Sequence, residues 1–316
     1  MRILITGGFG YIGGRLGQYF HSAGHEILLG TRKAGLAPDW LPQAELRQIE
    51  WMENSSLNNV CSDVDVVIHA AGMNAEDCNM DPVGALEFNG LATARLVEAA
   101  GRSGVRKFIY LSTAHVYANP LVGVISENQC PSNLHTYATS HLAGENAVLN
   151  ANLRKEVEGI VLRLSNGFGV PSHKDVNCWM LLVNDLCRQV VTKGTLTLRS
   201  SGLQRRDFVT LHDVSHFVAY MIEMNSAVLG NGVFNVGGAW APRIVDMAEL
   251  IQARCMAVLG YSPRINREAT DSAEKTLDLN YKIDKLLGTG FKLSGSAVEE
   301  IDATLLLCRE CFGGNK

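Results

Sequence analysis

The sequence lacks a basic segment and a long hydrophobic run. It has 28 Lys and Arg against 32 Asp and Glu, for a formal net charge of −4. Nucleic acids bind proteins largely through their phosphates, so this balance argues against a nucleic-acid partner. No apolar stretch approaches the roughly 20 residues that a membrane-spanning helix needs. The N-terminus begins directly with a strand pattern and leaves no room for a signal peptide. We therefore expect a cytoplasmic protein without a membrane partner.

The cysteines lack the spacing of a disulfide framework. Eight are scattered along the 316 residues, as expected of reduced thiols in a cytoplasm. Cys308 and Cys311 form a CxxC pair, but neither a second pair for zinc nor a following βαβ unit accompanies it. We expect this pair to pack within a terminal helix over 297–312, and we predict no metal site. A chain of this length can form one large lobe and one smaller lobe.

The first fourteen residues, MRILITGGFGYIGG, are typical of a dinucleotide site. An apolar strand is followed by glycines at 7, 10 and 13 and then by a helical pattern. Such a turn directs free backbone N–H groups and the positive end of a helix dipole at one point. Side chains on the glycines would keep a pyrophosphate away from that backbone, whereas a turn without a ligand needs only one glycine. The predicted contacts are Gly7, Phe9, Gly10, Tyr11, Ile12 and Gly13.

The end of the second strand pattern bears on the choice of coenzyme. The segment 25–30 is followed by Thr31, Arg32 and Lys33, where an acidic residue would accept from the ribose 2′-hydroxyl of NAD. Arg or Lys can instead pair with a 2′-phosphate. The expected coenzyme is therefore NADP or NAD, with NADP slightly favoured. The alternative is that both cations simply lie in solvent.

Strand and helix patterns alternate throughout, which predicts an α/β fold with a doubly wound parallel sheet. Pro38 and Pro42 indicate that the crossover after the second strand has a short helix or none. The later strand patterns cover 44–51, 64–69, 106–111, 159–164 and 233–236. The main helix patterns cover 82–102, 136–152, 176–191, 212–223 and 245–259.

Polar side chains follow two of the central elements. Ser112 and Thr113 come after the strand at 106–111, where parallel sheets bind ligands. Tyr137 and His141 are four residues apart, so they share one helix face. Small residues, Ala70 and Ala71, follow the strand at 64–69 and leave space for a flat cofactor. Asn89 is a weaker candidate because buried asparagines are more often structural.

These segments together resemble the extended short-chain dehydrogenase/reductases, the NAD-dependent epimerase/dehydratase family that modifies sugar nucleotides. The resemblance spans nearly the whole chain. The matching segments are TGGFGYIG at the start, HAAG at 69–72, STAHVY at 112–117, LRLSNGFG at 162–169, GLQRRDFVTLHDV at 202–214 and FNVGG at 234–238, together with Asn89, Tyr137 and Glu145. They are more specific for the family than for one reaction.

The resemblance implies a Rossmann dinucleotide-binding domain at 1–165 and a smaller sugar-nucleotide-binding lobe at 166–316. Residues 207–236 are expected to return to the first domain. The implied substrate is a nucleotide-diphosphate sugar, as in surface-polysaccharide synthesis. A homodimer through the helices at 82–102 and 136–152 is common in the family.

The resemblance also implies roles for particular residues. Tyr137 would be the acid/base, and Thr113 would hydrogen-bond the same sugar oxygen. The implied cofactor contacts are Ala70, Ala71, Asn89, Ser112, Tyr137 and His141, and the implied substrate contacts are Thr113, His115, Asn166 and Arg206. For Arg206, an exposed ion pair with Asp207 is the competing interpretation.

His141 departs from the family pattern, which has a lysine four residues after the tyrosine to stabilise the phenolate and hold the nicotinamide ribose. Three outcomes are open. His141 donates to the ribose and supports a slower reaction with a more acidic optimum, a neighbouring carboxylate keeps it charged, or the chain binds its ligands with little turnover. We favour the first.

The two residues after Thr113 reduce the number of reactions that the resemblance implies. The family's 4,6-dehydratases have an Asp-Glu pair there, whereas this chain has Ala114 and His115. Elimination by that route is therefore not expected. A C4 epimerase or a keto-sugar reductase needs only hydride transfer and Tyr137. The alternatives are a catalytically impaired dinucleotide-binding sensor or scaffold and, less favoured, a reductase of small carbonyls.

Overall fold

The computed structural model describes residues 1–269 and 276–313. Its first half contains β1 (Arg2–Thr6), α1 (Tyr11–Ser22), β2 (Glu26–Thr31), β3 (Glu45–Gln48), α2 (Asn54–Cys61), β4 (Val66–His69), α3 (Ala75–Met80), α4 (Pro82–Ala85), a π-helical segment (Leu86–Ala92), α5 (Thr93–Arg102), β5 (Lys107–Thr113), β6 (Gly123–Ile125), α6 (Thr136–Leu153) and β7 (Glu158–Leu164).

The second half contains β8 (Asn166–Phe168), α7 (Leu182–Lys193), β9 (Thr195–Thr197), β10 (Phe208–Thr210), α8 (Leu211–Glu223), β11 (Val233–Val236), α9 (Ile244–Leu259), β12 (Arg264–Asn266), β13 (Leu279–Tyr281), α10 (Asp284–Gly288) and α11 (Ala297–Phe312). No helix among the described residues has the length and hydrophobicity needed to cross a membrane.

A seven-stranded parallel sheet organises the molecule, in the order β3-β2-β1-β4-β5-β7-β11. The central strands are apolar runs buried on both faces, as helices on either side of a parallel sheet require. The predicted doubly wound fold is therefore confirmed. The carboxyl ends of β1, β4 and β5 bring the glycine turn, the 70–72 segment and Thr113 to one edge.

Three apolar clusters form the core. Two of them cover the two faces of the sheet, and their central residues include Ile5 and Phe217 on one face and Leu4 and Phe108 on the other. The third is built largely from α7, α9 and α11 and includes Leu186. Cys308 lies in this third cluster, as expected for packing, and Cys311 is half-exposed with a free thiol.

The structure differs from the sequence prediction in several boundaries. No helix separates β2 from β3, as the prolines indicated. The helix predicted from 176 begins only at Leu182, and the buried residues Val176 and Cys178 lie in the irregular segment before it. The helix predicted over 82–102 is interrupted by the π-helical turn at 86–92. The strand predicted over 106–111 continues to Thr113.

Candidate active site

The glycine turn leaves no room for side chains at its closest contacts. Gly7 has a φ of +67°, and a Cβ there would lie 2.7 Å from the Ala71 nitrogen. A Cβ at Gly13 would lie 2.2 Å from the Gly7 carbonyl oxygen. Gly10 begins α1 without a side-chain cap, so the first-turn N–H groups stay free for an anion. This cradle of backbone donors fits the pyrophosphate of a dinucleotide.

The side chains of the same turn point away from the cradle. The Tyr11 hydroxyl donates to the Gly169 carbonyl oxygen at 2.7 Å, and burial raises its pKa well above the ordinary value. Phe9 packs edge-on against Trp40, with ring centroids 6.0 Å apart. Ile12 is half-buried against the core. These three residues can therefore contribute backbone groups to a bound pyrophosphate while their side chains hold the turn in place.

Arg32 and Lys33 lie just beyond the end of β2 and are exposed. The Thr31 hydroxyl accepts from the Lys33 backbone N–H at 3.1 Å and fixes the turn between them. In the part of the chain that the structure describes, neither cationic side chain has an ion-pair partner within 4.0 Å. Both are free to meet a phosphate at the carboxyl end of β2.

Thr113 and Tyr137 are brought together where β5 meets α6. The Thr113 hydroxyl accepts from the His115 N–H at 3.1 Å, and its side chain is hydrogen-bonded to the Tyr137 phenol. Burial raises the pKa of Tyr137 above its ordinary value, and the hydrogen bond from Thr113 partly offsets that rise. The phenol therefore carries its proton at neutral pH. A protonated phenol beside a second hydroxyl is a suitable general acid for a substrate oxygen.

His141 lies one turn after Tyr137, with ring centroids 4.6 Å apart. Only 6% of its surface is exposed, and its Nδ1 lies 2.9 Å from the Tyr110 hydroxyl. Burial lowers the pKa of His141 to about 4, so the imidazole is uncharged at neutral pH. Glu145, one turn further on, is paired with Arg163 at 2.6 Å.

These facts correct two expectations about His141. A neighbouring carboxylate does not keep it charged, because burial is the cause that governs its pKa. The more acidic optimum required a charged imidazole near neutral pH, and the lowered pKa removes that basis. The donor role of His141 does not depend on charge and is unaffected.

Ser112 and Asn89 support the site from behind. The Ser112 hydroxyl donates to Glu145 at 2.5 Å, which ties the end of β5 to α6. Asn89 is 1% exposed; its Oδ1 accepts from the Met73 N–H at 2.8 Å, and its Nδ2 donates to Ser140 at 3.0 Å. Both were predicted as cofactor contacts. In the structure their side-chain polar atoms bind protein groups and hold the site in place, and the cofactor contacts themselves stay predictions.

The predicted substrate residues lie beside this edge. Asn166 begins β8 and donates from Nδ2 to the Asp207 carbonyl oxygen at 2.8 Å. The Asp207 carboxylate accepts from the N–H groups of Gly238 and Trp240, at 3.0 and 3.2 Å. The alternative of an Arg206–Asp207 ion pair is therefore wrong.

Arg206 is exposed. Burial is the main cause that lowers the pKa of His115, and the positive charge of the nearby Arg206 lowers it further. Arg206 has no ion-pair partner within residues 1–269 and 276–313. It is thus a free cation beside the loop that follows β5.

Sequence reasoning missed two groups next to the site. Tyr110 lies in an apolar strand, where a tyrosine usually packs in the hydrophobic core. The one sequence signal for a place beside the site was that residues 110 and 112 of a strand lie on the same face. His69 is buried between Thr6 at 2.6 Å and Thr93 at 2.9 Å. No group of three or more His, Cys, Asp or Glu among the described residues could hold a metal ion.

Comparisons with known proteins agree with this geometry. Residues 3–237 match the model of the NAD dependent epimerase/dehydratase family. A dTDP-6-deoxy-L-talose 4-dehydrogenase (NAD(P)(+)) of Kitasatospora kifunensis is 30% identical over 79% of this chain and 78% of its own. An uncharacterized UDP-glucose epimerase of Bacillus subtilis is 25% identical, over 86% and 88%.

The fold is shared with solved structures of low identity. A UDP-glucose 4-epimerase of Thermotoga maritima, solved with UDP-glucose, superposes with a TM-score of 0.80 at 18% identity, covering 98% of this chain and 99% of the other. A Thermus thermophilus UDP-glucose 4-epimerase, solved with NAD, gives 0.79 at 22% identity, covering 98% and 100%. The chain therefore belongs to the NAD-dependent epimerase/dehydratase family.

Proposed function

We propose that this protein is an NAD(P)-dependent sugar-nucleotide epimerase or keto-sugar reductase with Tyr137 as its acid/base. The observation that carries the proposal is the Thr113–Tyr137 pair at the sheet edge that also holds the glycine cradle. A bound nicotinamide supplies hydride transfer at a sugar carbon. Tyr137 gives a proton to the oxygen on that carbon or takes one from it. Thr113 holds the same oxygen by a hydrogen bond.

The state of Tyr137 favours the reductive direction at neutral pH. Because burial keeps the phenol protonated, it is ready to donate to a carbonyl oxygen as the hydride arrives. The reverse direction needs a phenolate, which forms more readily as the pH rises. An elimination needs an acid and a base to move protons at the carbons next to the oxidised one. Ala114 is 1% exposed and has no ionisable group, so this position supplies neither.

The substrate we propose is a nucleotide-diphosphate sugar, since several relatives are named for UDP- or dTDP-sugars. Arg206 would pair with the diphosphate because a planar guanidinium matches phosphate oxygens. His115 and Asn166 would contact the sugar or its phosphates. We propose that residues 1–165 together with 207–236 bind the dinucleotide and that the remainder of 166–316 binds the sugar nucleotide. We further propose that the protein is cytoplasmic.

A substrate screen tests the reaction. The protein is incubated with NAD, NADH, NADP or NADPH and a panel of UDP- and dTDP-sugars and their 4-keto derivatives, and products are identified by NMR. Inverted C4 without net coenzyme consumption supports an epimerase, and reduced keto-sugar with stoichiometric oxidation supports a reductase. Tyr137→Phe should abolish either reaction, and Thr113→Val should slow it by about 10- to 1000-fold. Tight binding without turnover of any panel member would favour the impaired sensor instead.

Replacing His141 by Lys tests how this position tunes Tyr137. An ammonium near the phenol would stabilise its charged form and shift the pH–rate profile to lower pH. An unchanged profile would show that position 141 has no part in tuning Tyr137. Thermal denaturation of both proteins checks that the buried lysine is tolerated.

The coenzyme preference that we propose, slightly towards NADP, rests on Arg32 and Lys33. The double variant Arg32→Ala/Lys33→Ala should weaken NADP binding about 10-fold or more and leave NAD binding nearly unchanged. Dissociation constants measured by calorimetry decide this. A clear wild-type preference for NAD would remove the NADP proposal.

We also propose a homodimer through 82–102 and 136–152. Val83, Leu86 and Leu91 expose apolar side chains on the first of these segments, at 67%, 48% and 44%, which is typical of a covered helix face. Light scattering after gel filtration would measure the mass. The double variant Val83→Glu/Leu91→Glu should give a monomer.

A further inference from the structure

The hydroxyl of Tyr110 is held against α6, the helix that carries Tyr137 and His141. Its ring lies between two imidazoles, with centroids 5.4 Å from His69 and 5.9 Å from His141. On the α6 side, a Cβ at Gly144 would come within 2.8 Å of the Tyr110 oxygen. Tyr110 is 1% exposed, so its hydroxyl is removed from bulk water and is hydrogen-bonded inside the protein.

Nδ1 of His141 lies 2.9 Å from the Tyr110 oxygen, and the tautomer of the imidazole decides which of the two atoms donates. Thr93, whose hydroxyl also neighbours Tyr110, donates its own proton to the Asn89 carbonyl oxygen at 2.8 Å and contacts His69 Nε2 at 2.9 Å. A neutral imidazole carries one proton, and a nitrogen that accepts a hydrogen bond cannot hold it. Donation from Tyr110 to Nδ1 would place the proton of His141 on Nε2, whereas donation from Tyr110 to Thr93 would let Nδ1 keep it.

The Nε2 edge of His141 faces the segment that follows β4. A Cβ on the exposed residue Gly72 would lie 3.4 Å from His141 Cε1 and 3.7 Å from Nε2. Within the described ranges, His141 Nε2 has no protein hydrogen-bond partner, whereas Nδ1 has one. One nitrogen of the ring is thus bound inside the protein, and the other is available at the segment that follows β4.

We propose that Tyr110 is a positioning residue, which by donating to Nδ1 fixes His141 as the Nε2–H tautomer and leaves a single uncharged donor facing the nicotinamide ribose. The last clause rests on the proposed function, whereas the tautomer does not. His141 would then keep the hydrogen-bonding role of the lysine in its relatives without its charge. No step in this assignment requires proton transfer between Tyr110 and His141.

The groups that face His141 are compatible with an uncharged ring. The titratable ones are Tyr137 and Glu145 on α6, Tyr110 on β5 and His69 on β4. Glu145 is the one carboxylate among these four, and it is paired with Arg163 at 2.6 Å. Within the described residues the imidazole therefore has no ion-pair partner that would recruit a second proton, and its hydrogen-bonding pattern should persist over the working pH range.

Nitrogen NMR of ¹⁵N-histidine-labelled protein reads the tautomer directly. His141→Gln identifies the two resonances of His141 among the nine histidines. We expect an unprotonated Nδ1 and a protonated Nε2, constant between about pH 5.5 and 8.5, a range that brackets the ordinary histidine pKa. A proton on Nδ1, or a titration of the ring within this range, would overturn the proposal in the unmutated protein, whatever the variants do.

Tyr110→Phe removes the donor and should give a mixture of the two tautomers at His141, with a coenzyme dissociation constant about 3- to 10-fold higher. Tyr220→Phe is the control because Tyr220, on α8, also has its hydroxyl hydrogen-bonded within the protein, to the Thr289 carbonyl oxygen at 2.7 Å, away from His141. The Tyr220→Phe variant should change neither the tautomer of His141 nor the coenzyme dissociation constant. An unchanged tautomer in Tyr110→Phe would refute the positioning role, whereas failure of the wild type to bind either coenzyme would refute the proposed function and leave the tautomer result standing.

Discussion

Gly13 lies at the tightest contact between α1 and the turn before it. A Cβ at this residue would come 2.2 Å from the Gly7 carbonyl oxygen and 2.8 Å from its carbon, both backbone atoms that cannot rotate away. We expect Gly13→Ala to lower the free energy of unfolding by about 1–3 kcal/mol. Because the turn must shift, coenzyme affinity should fall about 10-fold or more. Urea denaturation and calorimetric titration with coenzyme measure the two effects.

Gly288→Ala is the control for Gly13→Ala. Gly288 ends α10, and a Cβ there would meet no atom within 4 Å. This substitution should leave stability and coenzyme affinity within error of the wild type or raise stability slightly. If Gly13→Ala behaved in the same way, the steric account of the glycine cradle would be wrong.

Two buried histidines should make the protein lose stability on acidification. Burial lowers the pKa of His141 to about 4 and that of His69 to about 3. The unfolded chain, with ordinary histidine pKa values near 6.5, binds these protons more readily. Their contribution is fully present above about pH 6.5 and is lost as the pH falls towards 4 and 3. For His141 it amounts to about 3 kcal/mol.

Asp207 has the opposite effect on the stability of the protein at low pH. Burial raises the pKa of its carboxyl to about 6, so the folded state takes up this proton first and gains stability as the pH falls below 6. Its shift is smaller than that of the two histidines together, so acidification should still destabilise the protein overall.

His141→Gln isolates one part of this pH dependence. The variant should lose less stability than the wild type between about pH 6.5 and 4.5 because it has no imidazole to protonate at this position. His212→Gln, at an exposed position, should follow the wild type. Urea midpoints measured across this range decide the matter, and parallel curves for wild type and His141→Gln would contradict the account.

The π-helical segment is the element that links the segment after β4 to α6, the helix that carries Tyr137. Its Asn89 side chain joins the Met73 N–H, beyond β4, to Ser140 on α6, and the Ser140 hydroxyl donates to the Tyr137 carbonyl oxygen at 3.1 Å. Asn89→Ala would leave the Met73 N–H and the Ser140 hydroxyl without this partner. We expect a loss of about 1–3 kcal/mol in the free energy of unfolding.

Hydrogen exchange distinguishes this link from general destabilisation. In Asn89→Ala the Met73 amide should exchange much faster, while amides in the distant β11 should change only as the global stability changes. Asn280→Ala, at an exposed position of β13, serves as the control. Unchanged protection of Met73 in Asn89→Ala would show that another group holds this segment.

Elements were predictable from sequence where local pattern and burial agree. β1, the glycine turn and α1 have a strand pattern, turn residues and a helical pattern in one short segment. The π-helical turn was not, because its Asn89 is held by partners distant in sequence, and neither was the start of α7 at Leu182, since the segment before it buries Val176 without being helical. Tyr110 was missed for the same reason, since its partner lies 31 residues away.

Contacts between distant parts of the chain hold the glycine turn against the C-terminal half of the molecule. The Tyr11 hydroxyl reaches Gly169, and Trp40 stacks on His173 with an interplanar angle of 9°. Arg15 pairs with Glu300, which is 285 residues away. Sequence patterns carry no information on such separations, so the residues of the site could be proposed from motifs, whereas their mutual support could not.

Glu300 is the point at which four segments converge. Its carboxylate accepts from Arg15 at 2.9 Å and from the N–H groups of Val170 and His212, each at 3.1 Å. Gly169, with a φ of +146°, leaves the space that the carboxylate fills, since a Cβ there would lie 2.3 Å from it. Because this side chain is 5% exposed, removing its charge leaves the Arg15 guanidinium without its compensating charge.

Because the Arg15 side chain is 20% exposed, Glu300→Gln should lower the free energy of unfolding by about 1–3 kcal/mol, less than the cost of breaking a fully buried ion pair. It should also weaken coenzyme binding, because Arg15 lies on the helix whose first turn forms the cradle. Glu299→Gln, an exposed neighbour in the first turn of α11, should cost at most about 1 kcal/mol. Urea unfolding of the three proteins gives the comparison. A Glu300→Gln variant as stable as Glu299→Gln would mean that the Glu300 carboxylate contributes nothing to holding the glycine turn against the C-terminal half, which the other contacts, such as Tyr11 with Gly169, would then do.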